Sequence, residues 1–366
     1  MADPRTAALA DLLVNYSLGL QPGQTVAIMG TTAATPLIKE LYRYALRAGA
    51  HPYALPAIAD LQEIYLREGN EAQWAHISPI SDLIVAQFDA MIQLIAPENT
   101  RALAGIDPAR MAALNAAQAP LQARRIARLG DPRYHDVISL FPTPALAQEA
   151  DMSLSDYEDF VYAACRVAEP DPRAAWQAQG AEQQRIVDYL KGKRTLHLQG
   201  PNCDLRLGIA GRDFINAQGH VNFPDGEVFT SPEEALTEGF IRFTYPAIYQ
   251  GREVTDVELR FQEGRVVEAK ASKGQAFLDQ MLGVDEGARR LGEIAVGTNP
   301  GIRRYTKNIL LDEKISGTIH CALGNGFSEV GGQNHSAIHW DMVNDMTQGT
   351  ITADHTVVYR DGRFVI

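Results

Sequence analysis

The C-terminal half of the chain contains acidic residues and histidines whose types and spacing could bind metal ions. His339 and Asp341 stand two residues apart in SAIHWDM, so on a β-strand their side chains would leave the same face. A neutral imidazole combined with a carboxylate suits Zn, Mn, Co or Fe. Taken by itself, the pair could equally be a polar stretch on the solvent side of an edge strand.

Two further residues lie in apolar segments that predict buried strands. Glu293 stands near the start of LGEIAVG, and a buried ionised carboxylate is costly unless a cation or several hydrogen bonds compensate it. His320, in TIHCALG, is either a hydrogen-bonded core histidine or a metal ligand. Glu227, after the turn sequence PDG, and Glu313, before a lysine, could each be a ligand or a surface acid.

Together these segments supply four carboxylates and two histidines. This set exceeds the needs of one tetrahedral site and matches those of two adjacent divalent ions. Two ions about 3.5–4 Å apart can bind a bridging water, lower its pKa and stabilise a developing oxyanion. The set therefore predicts metal-assisted hydrolysis.

Other catalytic and binding signatures are absent from the sequence. It contains neither H-E-x-x-H nor G-x-S-x-G, and neither G-x-G-x-x-G nor a P-loop motif. Cys165, Cys203 and Cys321 are too few and too widely spaced for a disulfide framework or a zinc finger. Cys321 follows His320 directly, but adjacent residues of a strand face opposite sides, which disfavours a Cys–His pair.

Length and composition predict a globular protein of two domains. The chain has 366 residues, of which 46% are apolar and 21% charged. With 33 Lys and Arg against 45 Asp and Glu, the formal net charge of −12 disfavours nucleic acid as a partner. No apolar run approaches the ~18 residues of a membrane helix, and the first residues lack a signal-peptide pattern. We expect a soluble cytoplasmic protein without membrane partners.

The order of predicted elements distinguishes the two halves. In residues 1–190, strands at 25–30, 51–56 and 90–96 alternate with helical patterns, which predicts an α/β domain with a parallel sheet. In residues 191–366, short alternating strands such as DLRLGIA, GHVNFP and FIRFTYP predict an α+β domain rich in antiparallel strands. The domain boundary is therefore predicted near residue 190.

Three segments in order, DEGARRLGEIAVGTN, ILLDEKISGTIHCALGNGF and SAIHWDM, resemble the metallopeptidase family of aminopeptidases T, S and PepS. The resemblance is strong from Asn222 to the C-terminus and looser before it. It implies an α/β N-terminal domain, a catalytic β-rich C-terminal domain, a homodimer and a dinuclear metal centre. Carried over by motif, the metal ligands are Glu227, Glu293, Glu313, His320, His339 and Asp341. Among them, Glu293 is assigned as the carboxylate that bridges both ions.

One position departs from the family pattern. Similar proteins have a Tyr seven residues after the first histidine, at the metal centre and close to the reacting carbonyl, whereas this chain has Phe327. A phenyl ring has no hydroxyl to donate, and losing one oxyanion donor typically costs ~10²–10³ in rate. Either another donor or a metal ion compensates, or peptide hydrolysis is weakened.

The resemblance implies an aminopeptidase that removes the N-terminal residue of peptides with a free N-terminus. It would use two divalent ions (Zn, Co, Mn or Mg), with Glu313 or another metal-binding carboxylate moving the proton to the leaving amine. One alternative is a mononuclear non-haem iron dioxygenase that cleaves rings on the same scaffold, with His320, His339 and Asp341 as a two-histidine, one-carboxylate set. The other is a metal-binding homologue that has lost catalysis.

Overall fold

The computed structural model describes residues 3–366. Met1 and Ala2 lie outside the described residues. They begin the segment in which no signal-peptide pattern was found. The chain divides into two compact units. Of the described residues, the first comprises 3–173 and Gly219–Pro224, and the second comprises Ala174–Gln218 and Asp225–Ile366.

These units have different bounds from the predicted domains 1–190 and 191–366. The difference arises at the long helix Pro172–Leu190, which lies almost entirely in the second unit. The side-chain amide of Gln183, on this helix, donates hydrogen bonds to the backbone carbonyls of Ala217 and Glu227. The polar face of the helix is therefore tied to strands of the second unit.

The first unit contains a five-stranded parallel sheet, as the sequence predicts. Its spatial order is β2-β1-β3-β4-β8. The strands are β1 (Thr25–Thr31), β2 (His51–Ala57), β3 (Ala90–Ile95), β4 (His135–Leu140) and β8 (Asn222–Phe223). Strand β4 was not predicted.

The segment GHVNFP was expected in the antiparallel region, and this expectation is wrong. Residues Gly219–Pro224 belong to the first unit, where β8 pairs in parallel with β4. Just before β8, the ring of His220 stacks on that of Tyr16 at 5.0 Å, another contact within the first unit. The local apolar alternation was read correctly as a strand, but alternation does not tell which sheet a strand joins.

The helices of the first unit follow from apolar spacing and capping residues. In α2, Leu37, Leu41 and Ala45 recur four residues apart and are all buried, which gives the helix one apolar face. The helices are α1 (Pro4–Leu12), α2 (Thr35–Arg47), α3 (Leu61–Glu68), α4 (Glu71–Trp74), α5 (Pro79–Gln87), α6 (Pro108–Arg128), α7 (Pro144–Glu149) and α8 (Leu154–Ala164). Among the described residues, no helix has the length and apolar character needed to span a bilayer.

The second unit is rich in antiparallel strands, as predicted. An eight-stranded sheet has the order β14-β13-β10-β6-β5-β18-β19-β20. Its strands are β5 (Thr195–Gly200), β6 (Cys203–Gly208), β10 (Thr237–Arg242), β13 (Glu258–Gln262), β14 (Arg265–Lys270), β18 (Thr350–Ala353), β19 (Thr356–Arg360) and β20 (Arg363–Phe364).

A five-stranded sheet of the second unit has the order β17-β16-β15-β9-β7. These strands are β7 (Ile215–Ala217), β9 (Glu227–Thr230), β15 (Leu291–Gly297), β16 (Thr318–Gly324) and β17 (His339–Asp345). A short pair, β11 (Ala247–Tyr249) and β12 (Arg252–Val254), and the helices α9 (Pro172–Leu190), α10 (Gln275–Leu282) and α11 (Ile309–Asp312) complete the unit. Buried side chains of both large sheets form one core.

Strands β15 and β16 lie at the centre of the five-stranded sheet, and every residue of both is buried. Gly297, at the end of β15, allows the chain around Ile315 to approach closely. A Cβ atom added at Gly297 would lie 2.2 Å from the carbonyl oxygen of Ile315. Since that partner is backbone, the crowding could be relieved only by moving the segment that carries Glu313.

We expect Gly297→Ala to lower the free energy of unfolding by about 1–3 kcal/mol, because overpacking forces backbone shifts. Urea denaturation followed by circular dichroism measures the change. Gly200→Ala is the matched control, since an added Cβ there would meet its nearest atom at 3.5 Å, an ordinary contact. Equal effects of both substitutions would contradict the close-approach explanation.

Candidate metal centre

One face of the five-stranded sheet carries five of the six predicted ligands. Glu293 on β15 is paired with Ala322 on β16, which is paired with Asp341 on β17. Residues directly opposite in an antiparallel sheet project to the same face. His320 lies two residues from Ala322, and His339 two residues from Asp341, so both imidazoles share this face.

Small residues make room for these long side chains. Ala322 lies between Glu293 and Asp341 in the row just described, and Ala295 lies opposite His320. Glu227, on β9, is paired with Gly297 and so joins the same face. Alanine and glycine at these central positions leave space above the sheet that larger apolar residues would fill.

Glu313 reaches the cluster from outside the sheet. It follows α11, which Asn308 caps by accepting a hydrogen bond from the backbone N–H of Leu310. The backbone carbonyl of Glu313 lies 3.1 Å from Nδ1 of His320. The short helix and the turn after it therefore position the Glu313 carboxylate and orient His320 as well.

Both histidines present Nε2 to the carboxylates. Nδ1 of His339 lies 2.8 Å from the carbonyl of Asn325, and Nδ1 of His320 lies 3.1 Å from that of Glu313. A carbonyl only accepts, so Nδ1–H is the donor and a neutral ring keeps its Nε2 lone pair for a cation. The sequence did not predict these supporting contacts.

The distances show how tightly the six predicted ligands converge. Nε2 of His339 is 3.1 Å from Oε2 of Glu293, and Nε2 of His320 is 3.6 Å from Oε1 of the same carboxylate. Nε2 of His320 also lies 3.4 Å from Oε2 of Glu227 and 4.0 Å from Oδ1 of Asp341. These five ligands are therefore brought together in the second unit, and Glu313 joins them in a group with His320 and Asp341.

Three overlapping groups have ligand atoms within 4.8 Å of one another: Glu227–Glu293–His320, Glu293–His339–Asp341 and Glu313–His320–Asp341. Two buried oxygens, Oε2 of Glu227 and Oδ1 of Asp341, have no hydrogen-bond partner among the described residues. Buried carboxylate oxygens left in this way are costly unless a cation binds them. A mixed set of carboxylates and imidazoles suits divalent transition metals, so the residues fit metal ions.

Burial and charge shift the pKa values of the cluster in opposite directions. Burial raises the pKa of Glu227 to about 8, although Lys314 and His320 oppose the shift. Burial opposes ionisation of Glu293 as well, but in the metal-free cluster the hydrogen bonds from the protonated rings of His320 and His339 outweigh it and lower its pKa below the usual range. Glu293 is therefore the carboxylate that stays ionised most readily between the two imidazoles.

A lysine that the sequence analysis did not single out completes the cluster. The ammonium group of Lys314 is fully buried and lies 2.6 Å from Oε1 of Glu227 and 2.6 Å from Oε1 of Glu313. Oδ1 of Asp225 lies 3.7 Å away. The segment DEK, residues 312–314, held a signal for this ion pair. It directly follows an apolar run, and an acid and a lysine that are buried with such a run need charged partners.

Phe327 lies beside the cluster. Its ring meets the imidazole of His339 edge-on at 5.1 Å and lies 5.2 Å from the ring of Phe229. The hydroxyl of buried Ser231 accepts a hydrogen bond from the backbone N–H of Phe327 and donates one to the carbonyl of Gly292. The loop is therefore fixed next to Glu293, and an apolar ring stands where the family resemblance implies a Tyr.

Comparison with known proteins identifies the family. The profile described as thermophilic metalloprotease (M29) matches residues 2–364. This chain belongs to the M29 metallopeptidase family. Aminopeptidase 2 of Geobacillus stearothermophilus is 31% identical over 87% of this chain and 83% of its own length. The family resemblance carried by the three motifs is confirmed, and the protein is a hydrolase.

Solved structures share the fold of this M29 chain. Wild-type AmpT from Thermus thermophilus matches with a TM-score of 0.88 at 24% identity, over 99% of each chain. A 2,5-dihydroxypyridine dioxygenase from Pseudomonas putida KT2440 matches with a TM-score of 0.58 at 16% identity, over 99% of this chain and 96% of its own. The predicted combination of a parallel-sheet part and an antiparallel-rich part is confirmed.

We expect divalent metal to stabilise this M29 protein against unfolding. Each bound ion adds about 2.7 kcal/mol when its free concentration is 100 times its Kd. Differential scanning fluorimetry with Zn, Co or Mn, and then with excess chelator, measures the shift. Glu293→Gln should remove most of it, whereas Glu182→Gln, on the exposed side of α9, should leave it unchanged. An equal metal response in both variants would contradict the proposed centre.

Proposed function

We propose that this protein is a metal-dependent aminopeptidase that hydrolyses the N-terminal residue of peptides through a dinuclear centre. The observation that carries the proposal is the position of Glu293, which belongs to two of the three ligand groups and has one histidine at each oxygen. A carboxylate in this position can contribute one oxygen to each of two ions. Family membership and relatives named aminopeptidases support the activity.

The proposed ligands divide between two ions. Glu227, Glu293 and His320 would hold one, and Glu293, His339 and Asp341 the other. Divalent ions bound there would supply Lewis-acid polarisation of the peptide carbonyl and a water of lowered pKa. Their identity would be Zn, Co, Mn or Mg. The side chain of His339 is 30% exposed, whereas that of His320 is 1% exposed, so substrate would approach from the His339 side.

Glu313 is the residue proposed to move the proton. Its Oε1 is held by Lys314, and its other oxygen would take the proton of the attacking water and pass it to the leaving amine. Glu313 shares a ligand group with His320 and Asp341, so the same carboxylate could also contact an ion. A free α-amino group of the substrate would be attracted to this acidic cluster, which accounts for removal of a single N-terminal residue.

We expect Glu313→Gln to lower kcat roughly 10²–10⁴-fold, because proton transfer is lost while the three sheet-borne carboxylates remain. Release of p-nitroaniline from aminoacyl p-nitroanilides measures activity, and elemental analysis measures the metal content. Glu293→Gln should instead lose metal and activity together. N-acetylated substrates lack the free α-amino group and therefore test exo specificity. Their hydrolysis at the same rate as the unacetylated substrates would contradict it.

The iron dioxygenase alternative makes a different prediction about metal content. A single iron held by His320, His339 and Asp341 would not need Glu227 and Glu293, yet both are buried within reach of His320. Two divalent ions per chain would favour hydrolysis, and one iron would favour oxygenation. Full metal loading without turnover of any aminoacyl amide would favour the non-catalytic alternative.

We expect Phe327→Tyr to raise kcat, by as much as roughly 10²-fold, because it adds a hydroxyl donor beside His339. The reference is Phe229→Tyr, which adds a hydroxyl to the neighbouring ring. Steady-state kinetics on one aminoacyl p-nitroanilide measures both variants. An unchanged kcat in Phe327→Tyr would mean that another group already stabilises the oxyanion.

The oligomeric state and location remain part of this proposal. The family resemblance implies a homodimer, and the composition favours the cytoplasm. Light scattering after size-exclusion chromatography gives the mass to compare with the 40.1 kDa of one chain.

A further inference from the structure

Lys314 neither binds a metal ion nor moves a proton in the proposed mechanism. Its exposed fraction is 0%, and a lysine is almost never fully buried unless it is paired. Burying an ammonium group costs free energy that partners must offset. The contacts to Glu227 and Glu313 at 2.6 Å, with Asp225 at 3.7 Å, provide those partners.

Lys314 contacts only one oxygen of each of two carboxylates. It holds Oε1 of Glu227, while Oε2 of Glu227 has no hydrogen-bond partner among the described residues and lies 3.4 Å from His320. It likewise holds Oε1 of Glu313. Lys314 therefore restricts each carboxylate to a single oxygen for any further cation and fixes its orientation.

The charges of the cluster balance only when Lys314 is counted. Asp225, Glu227, Glu293, Glu313 and Asp341 carry five negative charges when ionised, and the two histidines are neutral as ligands. Two divalent ions provide four positive charges, and Lys314 provides the fifth. Without metal, the two imidazoles can take up protons, but Lys314 alone contacts both Glu227 and Glu313 at 2.6 Å as a fixed positive charge.

From this geometry we infer that Lys314 is a positioning residue, a resident cation that holds Glu227 and Glu313 in place and offsets their charge before metal binds. The inference rests on the proposed metal centre. It has a consequence that ordinary packing would not produce. Losing the ammonium group should destabilise the metal-free protein far more than the metal-bound protein. In the metal-bound protein, the divalent ions still neutralise the buried carboxylates, whereas in the metal-free protein this negative charge has lost its lysine partner.

Lys314→Met tests this role, since methionine keeps an apolar stem and lacks the charge. Thermal unfolding is measured with excess Mn and with chelator, alongside the wild type. We expect the midpoint of the metal-free variant to fall by about 10 °C, since a buried carboxylate loses its partner. The midpoint of the loaded variant should fall by much less, so that the metal-induced shift widens. Calorimetric titration with Mn should show a Kd tightened about ten-fold.

Two further variants separate charge from packing. Arg212, a buried cation paired with Glu234 at 2.7 Å, provides the control, since Arg212→Met should lower both midpoints equally. Adding Asp225→Asn to Lys314→Met removes one negative charge and should recover part of the lost metal-free stability. A Lys314→Met protein that folds only with metal supports the same role in its extreme form.

An equal fall of both midpoints in Lys314→Met, or a weakened Kd, would overturn the inference and leave Lys314 a packing residue. A wild-type chain that takes up no metal would instead contradict the proposed function, and the two failures are therefore distinguishable.

Discussion

The structure of the second unit is constrained by the burial of several carboxylates on one sheet face. Glu227 and Glu293 are each only 4% exposed, and desolvating an ionised carboxylate costs several kcal/mol unless opposite charge lies close. Imidazoles approach them from β16 and β17, and the ammonium of Lys314 approaches from the segment after α11. The strand register, the small residues of the central strands and the glycine at position 297 all serve to bring these charges together.

Much of this arrangement could be predicted from the sequence because it follows from local patterns. Strand β15 is a continuous apolar run interrupted by one carboxylate, and burial of Glu293 followed directly from that pattern. His339 and Asp341 were expected on one face because strand periodicity is two, and β17 places them so. The convergence of the six residues depended on the family resemblance, since no spacing within the chain relates β9 to β17.

Other features depend on pairings that the sequence does not encode locally. Strand β4, HDVISL, begins with two polar residues and reads poorly as a buried strand until its parallel neighbours β3 and β8 are known. Lys314 was not predicted as part of the site, because its partner Glu227 lies 87 positions earlier in the chain. The segment DEK beside an apolar run indicates that a partner is needed, but an ion pair between distant segments has no periodicity, so only the fold reveals which residue the partner is.

The aromatic ring of Phe327 changes what the remaining groups must do. A Tyr hydroxyl at this place could donate to a developing oxyanion, whereas the phenyl edge meets His339 without any donor. The ring of Phe229, 5.2 Å from that of Phe327, adds no donor either. Under the proposed mechanism, ions held by the carboxylates would supply the electrostatic stabilisation on this side. The chemistry of this chain consequently depends more on its acidic cluster than it would with a tyrosine in place.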